Sequence, residues 1–288
     1  MEVILYHRVS EVKEKIREWK KAGLTIGLVP TMGALHKGHA SLMKAAKEKC
    51  DKVVMSVFVN PIQFGPNEDY DKYPRTLDED LKVAQEQGVD VVFAPSPKEM
   101  YGEISKLSND LLTYVCPPFE FVDKLCGKSR PGHFDGVATV VTKLFNIVQP
   151  DYAFFGEKDA QQLIIIKKMV KDLNMNLEII PCPIVREDDG LAVSSRNTYL
   201  SPEARAKAPT IYKALCYVQE LIGKGITEKE ILLDSAINIL DKDIELEYLE
   251  IVDINTLMAP EKISLKNLIL IAVKLNGVRL IDNIFPKG

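Results

Sequence analysis

Two imidazoles three positions apart are the residues best placed to do chemistry in this 288-residue chain. Only four histidines are present, and two fall in one turn, Pro30-Thr-Met-Gly-Ala-Leu-His36-Lys-Gly-His39. The turn follows an apolar run, Leu24 to Val29, and leads into a helix-like pattern from His39 to Cys50. Unpaired N–H groups and the dipole at a helix start favour phosphate. Glycines let the backbone approach a ligand closely. His36 and His39 can both donate hydrogen bonds to a triphosphate, with Met32, Gly33, Ala34, Leu35, Lys37 and Gly38 around them. The plain alternative is a helix cap and one surface histidine. With strand and helix context on both sides, the HxGH-like turn points to nucleotidyl transfer without specifying a substrate.

Three further segments carry candidate groups. Phe58-Val-Asn60-Pro-Ile-Gln63-Phe-Gly65 lies at the carboxyl end of the next expected strand, where open α/β sheets bind ligands. The amides of Asn60 and Gln63 suit hydroxyl and carboxylate groups. A surface loop with Pro and Gly is the alternative. Phe154-Phe-Gly156-Glu157-Lys158-Asp159-Ala-Gln-Gln162 ends another strand. There Lys158 is a compact charge for phosphate, and Asp159 is either a helix cap or a catalytic group. Val185-Arg-Glu-Asp-Asp-Gly-Leu-Ala-Val193-Ser194-Ser195-Arg196 pairs two hydroxyls with a guanidinium, the parts of a phosphate clamp. Ser194 and Ser195 could instead begin a turn. The acidic run Asp78-Glu79-Asp80 could hold magnesium, but favourable charge in a helix's first turn explains it as well. Arg130-Pro-Gly-His133 reads equally as a histidine site or a loop cap.

These segments need elements to hold them. Helices are expected from Ser10 (a cap, with Val12, Ile16 and Trp19 on one face and Gly23 at the end), over 39–50, from a Thr76–Glu79 capping box to Gly88, over 137–148 and over 160–173. Strands are expected over 24–29, 53–59, 89–94, 151–155 and 177–184. An irregular stretch from Pro95 to Pro131 interrupts them. Short apolar strands alternating with helices predict a parallel sheet covered on both faces. Near residue 185 the pattern changes. Capped helices are expected near Ser201–Pro202 and at Thr227, with two or three strands over 245–252, 267–275 and 278–281. Asn276–Gly277 predicts a type I′ hairpin. The division expected is an α/β domain over 1–183 and a smaller α+β domain over 184–288.

Composition narrows the function. Hydrophobic residues make up 46% and charged residues 27%, which argues against disorder. The net charge of −4 gives no basic surplus for a nucleic acid. Met1 to Ser10 does not predict a secretory signal, and the longest apolar run, Leu268 to Val273, is too short for a bilayer. Five cysteines without CxxC spacing are expected to be buried thiols in a reducing cytoplasm.

On VPTMGALHKGH, SVFVNPIQFGPNEDYDKYPRTL, RPGHFDGVATVVTKLFNIVQPD, FFGEKDAQQL and DGLAVSSRNTYLS, spread over residues 29–201, the chain resembles the pantoate–β-alanine ligase (pantothenate synthetase) family. RLIDN near the carboxyl terminus fits as well. The resemblance implies a Rossmann-like first domain, a carboxyl-terminal lid domain and a homodimer. It implies that pantoate, β-alanine and ATP give pantothenate, AMP and diphosphate through a pantoyl-adenylate, with Mg2+. It implies ATP contacts from Met32 through His39, from Gly156, Glu157, Lys158 and Asp159, from Val185, and from Val193, Ser194, Ser195 and Arg196. His39 takes a proton-donor role. Gln63 touches pantoate and β-alanine, and Gln162 touches pantoate. In some family members the positions of Glu79 and Asp80 bind magnesium. Two rivals are an enzyme that attaches the nucleotide permanently and a silent nucleotide-binding regulator.

Overall fold

Apolar strands joined by helical crossovers have only parallel partners to pair with, and both faces of the resulting sheet must be covered. The computed structural model describes residues 2–66, 68–102 and 112–285. It divides into two compact units, Met1–Gly156 with Ile165–Cys182, and Glu157–Ile164 with Pro183–Gly288. A division at 183/184 would leave 157–164 with the amino-terminal part; here that segment groups with the second unit.

The first unit runs β1 (Ile4–Tyr6), α1 (Val9–Lys21), β2 (Ile26–Thr31), α2 (Lys37–Lys49), β3 (Lys52–Val57), α3 (Leu77–Glu86), β4 (Val91–Phe93), α4 (Pro97–Tyr101), α5 (Phe119–Val122), α6 (Leu125–Ser129), α7 (His133–Val148) and β5 (Tyr152–Gly156). Helix α8 (Ala160–Asp172) crosses the division, and β6 (Glu178–Cys182) completes the sheet. The six strands are parallel, in the order β1-β4-β3-β2-β5-β6. Val29, Val53, Met55, Val92 and Phe154 face one core with Met43 and Ala46 of α2. Residues of the opposite parity, Leu28, Val54, Phe93, Ala153 and Phe155, are just as buried. Phe155 meets Phe145 of α7 edge-on at 6.5 Å. Burial on both faces is why these strands read as continuous apolar runs rather than alternating ones.

Several local expectations change. Strand β1 adds to the expected set: its three residues, Ile-Leu-Tyr, are too short to show a period. Helix α1 begins at Val9, not after Ser10, because Glu11 reaches back to accept the Arg8 N–H at 3.0 Å. The Thr76–Glu79 capping box does not form; the Thr76 hydroxyl donates to Asp80 Oδ1 at 3.4 Å instead. The irregular stretch contains α4, α5 and α6, while its positions 103–111 lie outside the described residues.

The second unit contains α9 (Pro202–Lys207), α10 (Thr210–Gly223), α11 (Lys229–Ile237), β7 (Ile244–Val252), β8 (Leu268–Leu275) and β9 (Val278–Ile284). The Ser201 side chain caps α9, as Ser-Pro predicts. Helix α11 is preceded by Glu228 rather than Thr227. The strands form an antiparallel sheet, β7-β8-β9. Ile211, Leu215, Val218 and Leu232 pack with Ile271 and Val273 to make the core. Asn276 and Gly277 take φ of 51° and 77°, the left-handed pair that a type I′ turn requires. All five cysteines are free thiols; Cys50, Cys126 and Cys182 are buried, but Cys116 is exposed. Among the described residues, no helix is long and apolar enough to cross a membrane.

Candidate active site

Strand order reverses between β2 and β5: the chain winds from β2 through β3 to β4 on one side and from β5 to β6 on the other. The crevice outside the carboxyl ends of such a pair is where open α/β sheets bind ligands. Thr31, at the end of β2, feeds the Met32–His39 turn. The two rings lie 4.0 Å apart between centroids. His36 Nδ1 accepts the Gly38 N–H at 3.1 Å, and His39 Nδ1 accepts the His36 N–H at 3.3 Å. With Nδ1 accepting, each neutral ring carries its proton on Nε2, so Nε2 is the donor. Helix α2 thus begins with its backbone groups satisfied locally and two ring donors in the same turn.

The turn is strained and braced. Gly33 and Ala34 have φ of 82° and 51°, and a non-glycine residue in that region costs about 1–3 kcal/mol. Asp80 of α3, only 1% exposed, accepts the Leu35 N–H at 2.9 Å and the Ala34 N–H at 3.2 Å. Burial pushes its carboxyl above the ordinary value, against the pull of those two N–H groups and the Thr76 hydroxyl. This corrects the magnesium expectation at Glu79 and Asp80. Asp80 spends both oxygens on backbone donors, and Glu79 is exposed on the helix. Among the described residues no group of three or more His, Cys, Asp or Glu side chains is arranged to hold a metal ion. This pair does not fit one.

Gln63 sits in the single helical turn Pro61–Gln63 beyond β3. Its Nε2 donates to Met32 Sδ at 3.2 Å, and its Oε1 accepts from Asn60 Nδ2 at 2.9 Å. Asn60 also donates to the Gly136 carbonyl at 3.1 Å and accepts the Tyr101 hydroxyl at 2.7 Å. Burial pushes the Tyr101 phenol up, which keeps it a donor. Asn60 was expected to contact pantoate or β-alanine. It is 1% exposed and each polar atom of its amide has a protein partner, so it braces Gln63 instead.

Helix α7 approaches this turn at Gly136. A Cβ there would lie 2.4 Å from the Ile62 carbonyl oxygen and 2.6 Å from Gln63 Cα. Only glycine permits that approach. Around the other side, His133 Nδ1 pairs with the Gln63 carbonyl at 2.8 Å and Nε2 with Arg130 at 3.0 Å. Arginine only donates and a carbonyl only accepts, so these two contacts suit the His133 tautomer with its proton on Nδ1. Arg130 also grips Glu68 with two nitrogens, through Nε at 2.7 Å. Burial raises the Glu68 carboxyl, but the Arg130 hydrogen bond and charge outweigh it and hold it below the ordinary value. His133 is therefore neither a separate site nor a loop cap but a clamp on the Gln63 backbone.

In the second unit, Glu157, Lys158 and Asp159 form a 3-10 turn, and Gln162 lies in the first turn of α8. Val185 and Val193 pair through the Val193 N–H at 3.0 Å, closing a short loop at Gly190. Ser194 Oγ accepts the Arg196 N–H at 3.3 Å, so this serine does begin a turn, with Ser195 and Arg196 as its first residues. Arg186 holds the loop: it donates to the Gly190 carbonyl at 3.0 Å, bridges both Asp282 oxygens at 2.7 and 3.0 Å, and lies 3.6 Å from the Tyr212 ring centre. Burial pushes the Asp282 carboxyl up; Arg186, the Asn283 N–H and the charge of Lys158 oppose it.

Two groups of the expected residues are thus assembled, one in each unit. Met32 to His39 and Gln63 are linked in the first, beside the end of β5 at Gly156. The Lys158 turn and the 185–196 segment are in the second. The bracing roles of Asp80, Gly136, His133, Arg186 and Asn283 are not visible in the local sequence. Its signals at these positions are the acidic run, the Arg130–His133 turn, an interior helix glycine in GHFDGV and the RLIDN segment.

A parallel sheet carrying an imidazole-bearing turn at its switch point defines a nucleotide-binding α/β enzyme. Within that class the chain belongs to the pantoate–β-alanine ligase family, whose family model matches residues 4–285. The pantothenate synthetase of Acetivibrio thermocellus is 54% identical over 278 residues, 96% of either chain. That of Caldicellulosiruptor saccharolyticus is 51% identical over 98% of this chain and 99% of its own. The crystal structure of pantothenate synthetase from Thermus thermophilus superposes with a TM-score of 0.89 at 42% identity, covering 99% of this chain and all of that one. The Francisella tularensis pantoate–β-alanine ligase, solved with β,γ-ATP and β-alanine, gives 0.79 at 36% identity, covering 99% of both chains.

Proposed function

We propose that the chain joins pantoate to β-alanine at the expense of ATP, through a pantoyl-adenylate, releasing AMP and diphosphate. The observation that carries the reading is the hydrogen bond from Gln63 to Met32. It couples the amide that holds the acid to the turn that holds the phosphates.

In the first step a pantoate carboxylate oxygen bonds to the α-phosphorus, and the bond to the diphosphate oxygen breaks. Negative charge grows on the non-bridging and leaving oxygens. The Nε2–H donors of His36 and His39, the Lys158 ammonium, the hydroxyls of Ser194 and Ser195 and the Arg196 guanidinium offset it. Such preorganised donors act without reorganising at the moment of reaction. Backbone at Met32 to His39, Gly156 to Asp159, Val185 and Val193 lies along the nucleotide. Gln63 and Gln162 orient pantoate, and Asn60 acts through Gln63. In the second step the neutral β-alanine amine attacks the acyl carbon, AMP departs and the amine loses a proton. Gln63 also meets β-alanine.

Magnesium would accompany ATP as part of the substrate and would supply positive charge against the phosphates. The same reading makes the protein a cytoplasmic homodimer. A panel of acids and amines scored for AMP release tests the substrates. Exchange of labelled diphosphate into ATP should require pantoate but not β-alanine. A requirement for β-alanine would sink the stepwise route, and a product that retains its nucleotide would sink the ligase assignment.

A further inference from the structure

The last strand holds two buried polar residues that the reaction above does not use. Asn283 is 1% exposed, and its Nδ2 donates to the carbonyls of Glu157 and Lys158, both at 2.9 Å and some 125 residues earlier in the chain. Those two bonds occupy both hydrogens of the amide nitrogen. Its Oδ1 is buried without a hydrogen-bond partner among the described residues. A buried amide whose acceptor is idle and whose donors are both engaged is kept for the donors.

The Asn283 backbone is itself anchored. Its N–H donates to Asp282 Oδ1 at 2.7 Å, and its carbonyl accepts from Arg186 at 3.2 Å. Asp282 in turn holds the two Arg186 nitrogens. The charged pair therefore fixes Asn283, and Asn283 fixes the turn that carries Lys158. A lysine ammonium rides on a flexible four-carbon stem, so where its backbone sits and how it is turned decide where the charge can be delivered.

We propose that Asn283 is a positioning residue for Lys158: it acts on the ATP chemistry only by setting the Glu157–Lys158 turn. This deepens the function above and rests on the assignment of Lys158 to the phosphates. An aspartate of the same size fails in this role, because its oxygen would oppose two carbonyl oxygens.

A double-mutant cycle on the full chain tests this, read by pantoate-dependent exchange of labelled diphosphate into ATP. Asn283→Ala should lower the exchange rate by roughly 10²-fold, the loss expected of a misplaced catalytic group, with the pantoate KM unchanged. Asn283→Asp should lose at least as much. In a Lys158→Ala background, Asn283→Ala should cost almost nothing further. Losses that multiply in the double variant would overturn the proposal, as would an active Asn283→Asp. If Asn283→Ala fails to fold, Asn283→Ser carries the same cycle. Full exchange by Lys158→Ala alone would remove the lysine from the reaction and the proposal with it. Absence of exchange in the parent chain would instead refute the ligase reading.

Discussion

The Asp80 carboxylate takes the backbone N–H of Leu35, 45 residues earlier, at 2.9 Å. A buried anion on α3 thereby holds the turn that carries both imidazoles. Asp80→Ala leaves the Leu35 and Ala34 N–H groups without their acceptor, at a cost of about 1–3 kcal/mol for each buried donor. The variant should unfold at lower urea and exchange diphosphate slowly, yet keep the parent's magnesium dependence at saturating ATP. A large rise in the magnesium requirement with unchanged stability would restore the metal-ligand role.

Gly136→Ala tests the approach of α7 to the Gln63 turn. In an open helix the change favours the helix by about 1 kcal/mol. Here the new methyl would meet backbone at 2.4 Å, and overpacking of this kind costs about 1–3 kcal/mol. The pantoate KM should rise while the ATP KM holds, because Asn60 and Gln63 move with the turn. A variant with raised melting temperature and parental pantoate KM would contradict the packing argument.

His39→Ala removes one Nε2 donor. Loss of a preorganised donor costs about 3–4 kcal/mol in the transition state, roughly 10²–10³-fold in rate. Rapid-quench measurement of adenylate formation should show that loss in the first step. A rate within a few-fold of the parent would exclude His39 from it.

The Glu68–Arg130 pair sets a pH dependence with a definite sign. Its folded carboxyl lies below the ordinary value of 4.5, so the unfolded chain takes up the proton first. The contribution is therefore fully present above 4.5 and is lost as pH falls through the lower folded value. Urea midpoints measured down that acid limb should fall less steeply for Glu68→Gln than for the parent. Parallel limbs would show that the pair contributes nothing to the linkage.

The local pattern of residues was enough to give the α/β order, the parallel sheet, the hairpin at Asn276–Gly277 and the chemistry-bearing turns. Apolar runs, glycine turns and helix caps act between near neighbours, so they can be read along the chain. The Met32–His39 turn was legible because its histidines and glycine are adjacent. What could not be read was who holds these turns. Asp80 looked like part of an acidic run, Asn60 like a ligand and His133 like a cap. Each role depends on a partner far off in sequence: Leu35, Gly136 and the Gln63 carbonyl respectively. Asn283 and Lys158 are 125 positions apart. A hydrogen bond needs placement within a few tenths of an ångström, and only tertiary packing provides it, of α3 and α7 within the first unit and of β9 within the second.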